Sequence, residues 1–242
     1  MTNSNPGTCI IVGVGPGLGA ALARRFAAAG HGVAVAARNS DKLASVVNRS
    51  EAAGQKVVDE ITAAGGSAKA YACDATSESS VAALFEAAEA DLGAIDVAIY
   101  NASGRARGPI AETTLGEFTD AWERCCLGGF LVGREAARRL GPKGSGSILF
   151  TGATASMKGF PHSATFAAGK FALRGLAESM ARELQPQGVH VAHFNIDGGI
   201  GEHDDDARLR PDAIAETYYQ THTQHRSAWS HSIEVRPWVE NF

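Results

Sequence analysis

The sequence predicts a single α/β domain, a doubly wound parallel sheet with helices on both faces. Three observations lead there. Short apolar, β-rich runs alternate with longer Ala- and Leu-rich helical patterns along the 242 residues. The strand-like runs are apolar at nearly every position, as in strands covered on both faces. A glycine-rich loop joins the first strand to the first helix, opening a βαβ unit.

Six strands follow from the apolar runs: TCIIVGVG (8–15), GVAVAAR (32–38), AKAYACD (68–74), IDVAIYNA (95–102), GSILFTGA (146–153) and HVAHFNI (190–196). Between them lie the helical patterns LGAALARRFAAAG, KVVDEITAAGG, VAALFEAAEADLG, FTDAWERCCLGGFLVGREAARRL and SATFAAGKFALRGLAESMARE. Several end in glycine, the usual left-handed C-terminal cap. SVVNRSEAAGQ (45–55) lengthens the connection after the second strand and is read as surface helix. The segment 201–226 starts with the charged run GEHDDD and turns helical after Pro211, a favoured first-turn residue. It follows the sixth strand, so it is expected on the substrate side, at the carboxyl edge of the sheet. The tail 234–242 carries Trp238 and Phe242 and is expected to dock, on a neighbouring subunit or over the cleft.

Composition narrows the function classes. The net charge of −4 gives no reason to expect nucleic acid or an anionic membrane as partner. No apolar run approaches the roughly 20 residues that span a bilayer. The N-terminus lacks a basic region followed by an apolar one, so a cytoplasmic location is expected. Cys9, Cys73, Cys125 and Cys126 are too few for a disulfide framework and lack paired zinc spacing. His190, His193, His222 and His225 have no matching Cys or carboxylate cluster and are read as scattered, so no metal is expected.

The loop VGVGPGLG (12–19) carries Gly13, Gly17 and Gly19 in the pattern G-x-x-x-G-x-G. Glycines there permit the tight turn and let main-chain N–H groups approach a pyrophosphate at the helix N-terminus, where Leu18 starts the helix. Gly13, Gly17, Leu18 and Gly19 are therefore candidate cofactor-binding residues. The second strand ends in Arg38 rather than in an acidic residue; a guanidinium there clamps a 2′-phosphate, favouring NADP, with NAD as the alternative. Asp74, after the third strand, is positioned to accept from an adenine amine. Asn101, after the fourth, can tie neighbouring strands, while Ala102 and Gly104 leave room for the cofactor. Turn formation is the plainer role for these residues.

Taken in order, the motifs resemble those of the short-chain dehydrogenase/reductase family over essentially the full length. GVGPGLG stands for its G-x-x-x-G-x-G, CDAT for its adenine-side Asp, NASG for its N-N-A-G, FAAGK for its Y-x-x-x-K and IDGGI for its P-G-x-I. The resemblance implies a Rossmann-like sheet of about seven strands, nicotinamide cofactor binding and a homodimer or homotetramer. It adds Gly198 and Ile200 to the cofactor-binding set and gives Lys170 the nicotinamide ribose. The helix after Lys170, with Leu173, Leu176, Met180 and Leu184 at helical spacing, is the family's common dimer helix; packing on its own sheet is the plainer reading.

The family's catalytic set is Asn, Ser, Tyr and Lys. In register with FAAGK the tyrosine position is Phe166, and thirteen residues before it the serine position is Ala153; the asparagine position is Cys125. Only Lys170 is retained. Phe166 has no proton to give, and loss of general-acid help typically costs about 10²–10⁴ in rate. Thr151, Thr154, Ser156, His162 and Ser163 offer nearby polar groups. His162 is the candidate replacement acid because free imidazole titrates near neutral pH. Two classes of function follow: an NAD(P)(H)-dependent oxidoreductase on an unidentified carbonyl or alcohol, or a cofactor-binding sensor or structural subunit without dehydrogenase chemistry.

Overall fold

Seven parallel strands form one sheet, ordered β3-β2-β1-β4-β5-β6-β7. The computed structural model describes residues 6–38, 48–201 and 206–239. In chain order the elements are β1 (Thr8–Val12), α1 (Leu18–Ala28), β2 (Val33–Ala37), α2 (Asn48–Ala63), β3 (Ala68–Ala72), α3 (Glu78–Leu92), β4 (Ile95–Tyr100), α4 (Leu115–Trp122), α5 (Gly128–Lys143), β5 (Ser147–Thr151), α6 (Ala164–Leu184), β6 (His190–Ile196), α7 (Pro211–His222) and β7 (Ser232–Val235).

The apolar strands feed two cores because successive side chains point to opposite faces. Ile10, Ala98, Ile148 and Phe150 pack with Leu84, Phe85, Leu140 and Leu173 of α3, α5 and α6. Cys9, Ile11, Val97, Ile99 and Leu149 face the other way, onto Leu22, Phe26, Val57, Ile61 and Tyr218 of α1, α2 and α7. Burying both faces of the central strands leaves ligands only the sheet's edges, and the carboxyl ends of β1, β4 and β5 form the open one.

Several details go beyond the sequence reading. The seventh strand, SIEV, is half-exposed and pairs with β6 from His193↔Ser232 to Ile196↔Val235, so the tail begins inside the sheet. Its Trp238 is 81% exposed, and Phe242 lies outside the described residues. The long helical pattern from Phe118 is broken by a π turn at Glu123–Leu127, between α4 and α5. There the Tyr100 hydroxyl donates to the Arg124 carbonyl at 2.5 Å, a partner outside the helix for a carbonyl in the widened turn. The stripe Leu173–Leu184 faces this chain's own core, with Leu173 and Leu184 buried. Exposed large apolar side chains include Leu115, Phe118 and Trp122 on α4, Phe130 on α5 and Phe171 on α6.

Of the segment 201–226, residues 202–205, and with them most of the charged run, lie outside the described residues, as do residues 45–47 of SVVNRSEAAGQ. α7 starts at Pro211 and is core scaffold: Ile214, Ala215 and Tyr218 are buried on the α1 face.

Candidate active site

The loop after β1 is shaped by two close approaches. Gly13 has φ +96°, and a Cβ there would come within 2.4 Å of the Ala102 nitrogen; one on Gly19 would come within 2.8 Å of the Val14 Cα. Gly15 and Gly17 differ: nothing lies within 4 Å of where a Cβ would stand. Gly17 caps α1 without a side-chain hydrogen bond, and no acidic residue occupies the first turn. The helix thus presents open main-chain donors and the positive end of its dipole to whatever lies on the loop.

A cavity of about 450 Å³ opens beside this loop, lined by Gly13, Gly15, Arg38, Asp74, Asn101 and Ala102 among others. Asn101 donates through Nδ2 to the Gly13 carbonyl at 2.9 Å while its own N–H reaches the Val12 carbonyl at 2.8 Å, so it ties the ends of β1 and β4. Asp74 Oδ1 accepts from the N–H (3.0 Å) and the hydroxyl (2.8 Å) of Thr76, closing an Asx turn at the cavity wall. A Cβ at Gly104 would come within 3.0 Å of Ala121 Cα and Arg124 Cβ, so its lack of a side chain lets the chain after β4 pack closely against α4 and the π turn.

Asn101 and Ser103 also line a second cavity of about 310 Å³, together with Leu18, Lys170, Gly198 and Ile200. Lys170 is 2% exposed, and its Nζ donates to the Thr151 carbonyl at 2.7 Å. Burial pulls this ammonium below the usual lysine range, and the nearby Arg105 charge adds to the effect. An ammonium has three donors, so two remain beyond Thr151. Gly198 adopts φ +150° against Pro237, which brings the end of β6 and the chain after β7 to the cavity's rim.

Cys125, Phe166 and Ala155 form a small apolar cluster, with Ala153 packed against it. Cys125 is fully buried in the π turn; its Sγ donates to the Gly104 carbonyl at 3.3 Å and accepts from the Gly104 N–H at 3.4 Å. The three residues that the resemblance places in the Asn, Ser and Tyr positions thus belong to one packed apolar cluster.

A third cavity, about 430 Å³, neighbours the second and shares Arg105, Ala153, Phe166, Ile196 and Gly198 with its lining. His162, Thr154 and Ser163 line it. His162 holds φ +59°, a left-handed backbone that costs a side-chain-bearing residue about 1 kcal/mol or more. Ser156 is buried away from this space and accepts from the Ala153 N–H at 3.2 Å. Thr151 lines only the second cavity, its hydroxyl bonded to Tyr218 at 2.8 Å. Two residues absent from the sequence reading appear here. Arg105 lies over the Phe166 ring, its Cζ 3.9 Å from the ring centre, and Arg107 lines the same wall.

With this geometry in place, comparison with known proteins is decisive at the level of family. The family model for short chain dehydrogenase matches residues 7–198. The chain belongs to the short chain dehydrogenase family. It is 33% identical over 185 residues to sorbitol-6-phosphate 2-dehydrogenase of Escherichia coli K12, covering 75% of this chain and 67% of that protein. A short-chain dehydrogenase structure from Rhodopseudomonas palustris superposes with a TM-score of 0.81 at 40% identity, covering 96% of this chain and 99% of that one. A metagenomic short-chain oxidoreductase solved in complex with NADP gives a TM-score of 0.81 at 27% identity, with 98% and 100% coverage.

For a short chain dehydrogenase the whereabouts of the tyrosines matter, and none of the four has a hydrogen bond to Lys170. Tyr71 donates to Asp91 and Tyr100 to Arg124; Tyr218 pairs with Thr151 from the α7 face, and Tyr219 lies under the Arg25 guanidinium. The histidines also need revision. His222 joins His31 and Asp96 in a group whose ligand atoms lie within 4.8 Å of one another. The group sits at the amino edge of the sheet, away from the cavities, and Lys143 Nζ already holds Asp96 Oδ1 at 2.9 Å. His190 stacks on Trp229, and His225 bonds Ser227.

Proposed function

We propose that this short chain dehydrogenase is an NADP(H)-dependent oxidoreductase that interconverts a carbonyl and an alcohol. The observation that carries the reading is the series of three neighbouring cavities, sharing lining residues, that runs from the Gly13–Gly19 loop past Lys170 to His162. Space that a Cβ would fill at Gly15 and Gly17, and an uncapped α1 terminus, fit a pyrophosphate. Arg38 fits a 2′-phosphate better than a bare ribose hydroxyl. The NADP complex of the 27%-identical oxidoreductase supports the same cofactor. Gly13, Gly17, Leu18, Gly19, Arg38, Asp74, Asn101, Ala102, Lys170, Gly198 and Ile200 would hold it.

Bound there, the cofactor supplies or accepts hydride. Lys170 keeps two donors for ribose hydroxyls, and its burial holds them in a water-poor place. Phe166, Ala153 and Cys125 take the tyrosine, serine and asparagine positions and exclude water from one side. His162, on the far wall, is the group that would move a proton at the substrate oxygen. Exposed apolar side chains on α4, α5 and α6 support a homo-oligomer.

A second reading, a cofactor-binding sensor or structural subunit, is favoured by the apolar cluster itself, since Cys125, Ala153 and Phe166 with Ala155 are packed as core. One experiment separates the two. NADPH-saturated protein is assayed against a panel of ketones, aldehydes and alcohols, alongside His162→Ala and the double variant Phe166→Tyr, Ala153→Ser. Turnover that falls about 10²-fold or more in His162→Ala supports the enzyme. Turnover appearing only in the double variant supports the sensor.

A further inference from the structure

The cavity beside Phe166 is lined by two guanidinium groups and, among the described residues, by no carboxylate. Several arginines elsewhere hold a carboxylate, among them Arg25, Arg134, Arg139 and Arg174. Arg105 and Arg107 have no hydrogen bond or ion pair among the described residues. Both side chains are exposed at the cavity's rim, and partial desolvation and the Arg107 charge lower the Arg105 guanidinium from its usual range, so the two charges repel each other. Two unpaired like charges on one wall are stabilised by an anion between them.

The pair is also held in place. Ala106, between the two arginines, is pinned to the first turn of α6. Its N–H donates to the Thr165 hydroxyl at 3.2 Å, and that hydroxyl donates to the Ala106 carbonyl at 2.8 Å. Thr165 is 2% exposed. The Gly108 N–H reaches the His162 carbonyl at 3.3 Å, closing the loop from its other end. A guanidinium held over an aromatic ring by a cation–π contact spends none of its N–H donors on that contact, so they stay available to a carboxylate. Phe166 provides that platform for Arg105.

We propose that Arg105 and Arg107 form a carboxylate-binding site, and that the substrate is a short-range oxo acid, or the matching hydroxy acid, with an apolar tail. The inference rests on reading this groove as the active site. Arg105 lines both the second cavity, with Lys170, and the third, so the carboxylate belongs within one or two carbons of the reacting carbonyl. The tail belongs against Ala155, Phe160, Pro161 and Ile196, the apolar part of the same wall. A neutral ketone would leave both guanidinium groups without a counter-charge, which separates the oxo acid from its ester by charge alone.

The test is calorimetric titration of the NADP⁺-saturated full chain with 2-oxo-4-phenylbutanoate, its methyl ester and phenyl phosphate. The acid is expected to bind at least about tenfold tighter than the ester, and the difference to shrink as salt is raised. Arg105→Met should weaken the acid about 10- to 100-fold and weaken the ester far less, so that the acid-over-ester preference is lost. Arg105→Lys should recover only part of the loss, because a point charge lacks the planar fork. Equal binding of acid and ester, absence of acid binding up to roughly 10 mM, or no loss in Arg105→Met would each overturn the proposal. Tighter binding of phenyl phosphate than of the acid would overturn the carboxylate assignment. If NADP⁺ does not bind but the acid still binds through Arg105, the cofactor reading falls and this site stands; if NADP⁺ binds and the acid does not, the reverse holds.

Discussion

Lys170 reaches the carbonyl of Thr151 at 2.7 Å from a position only 2% exposed, joining the middle of α6 to the end of β5 beneath the second cavity. One donor of the ammonium is thereby fixed, and its direction sets where the other two point. Lys170→Met should preserve the fold while removing those donors. NADPH affinity is expected to fall about 10- to 100-fold, since hydrogen bonds from a charged group are being lost. Fluorescence titration of NADPH measures this, with the melting temperature as control for folding. Unchanged affinity would mean that Lys170 is purely structural.

Stability should decline in acid because of His193. Both its ring nitrogens are buried without a hydrogen-bond partner, and burial, then the charges of Lys170 and Arg174, pushes its pKa down to about 3. A histidine depressed in the folded state binds its proton more readily when unfolded. Its neutral form therefore supports the fold above about pH 6.5, and that support is lost as pH falls toward 3, at up to about 1.4 kcal/mol per pH unit. His222, lowered to about 4 by burial, adds to the same window. His193→Leu should flatten the slope of urea-unfolding free energy between pH 6 and 4 without abolishing it. An identical slope in the variant would contradict this account.

The apolar side chains left outside concern assembly. Phe130 and Phe171 are 40% and 44% exposed on α5 and α6, which pack on each other. Burying such groups between subunits contributes about 25 cal/mol per Å² of apolar area. Sedimentation should show a dimer or tetramer for the native chain. Phe130→Glu with Phe171→Glu should shift it to a smaller species with little change in NADPH binding. A native monomer at micromolar concentration would refute the oligomer.

How far the sequence discloses this molecule can be judged residue by residue. Six strands are legible because both faces of Ile10–Val12, Val97–Ile99 and Ile148–Phe150 are buried, making those runs continuously apolar. SIEV escapes because an edge strand with half its side chains in water has no such run. The π turn is invisible since Glu123–Leu127 keeps a helical pattern, and only the Tyr100 hydroxyl at Arg124 marks it. Phe166, Ala153 and Cys125 can be placed in register from FAAGK, but their mutual packing is a tertiary fact. Arg105 and Arg107 were legible only as a doublet in GRARG. Nothing local says that Thr165, some 60 residues on, would fasten Ala106 between them (|i−j| = 59). His31, Asp96 and His222 illustrate the same limit, since no spacing rule joins residues so far apart.

The most direct test of the whole account is calorimetric titration of the native chain with NADPH and NADH, repeated for Arg38→Ala. The account predicts one site per chain and tighter binding of NADPH than of NADH. Arg38→Ala should erase that preference, through a loss of about 10- to 100-fold on NADPH alone. No association of either nucleotide at millimolar concentration would contradict it.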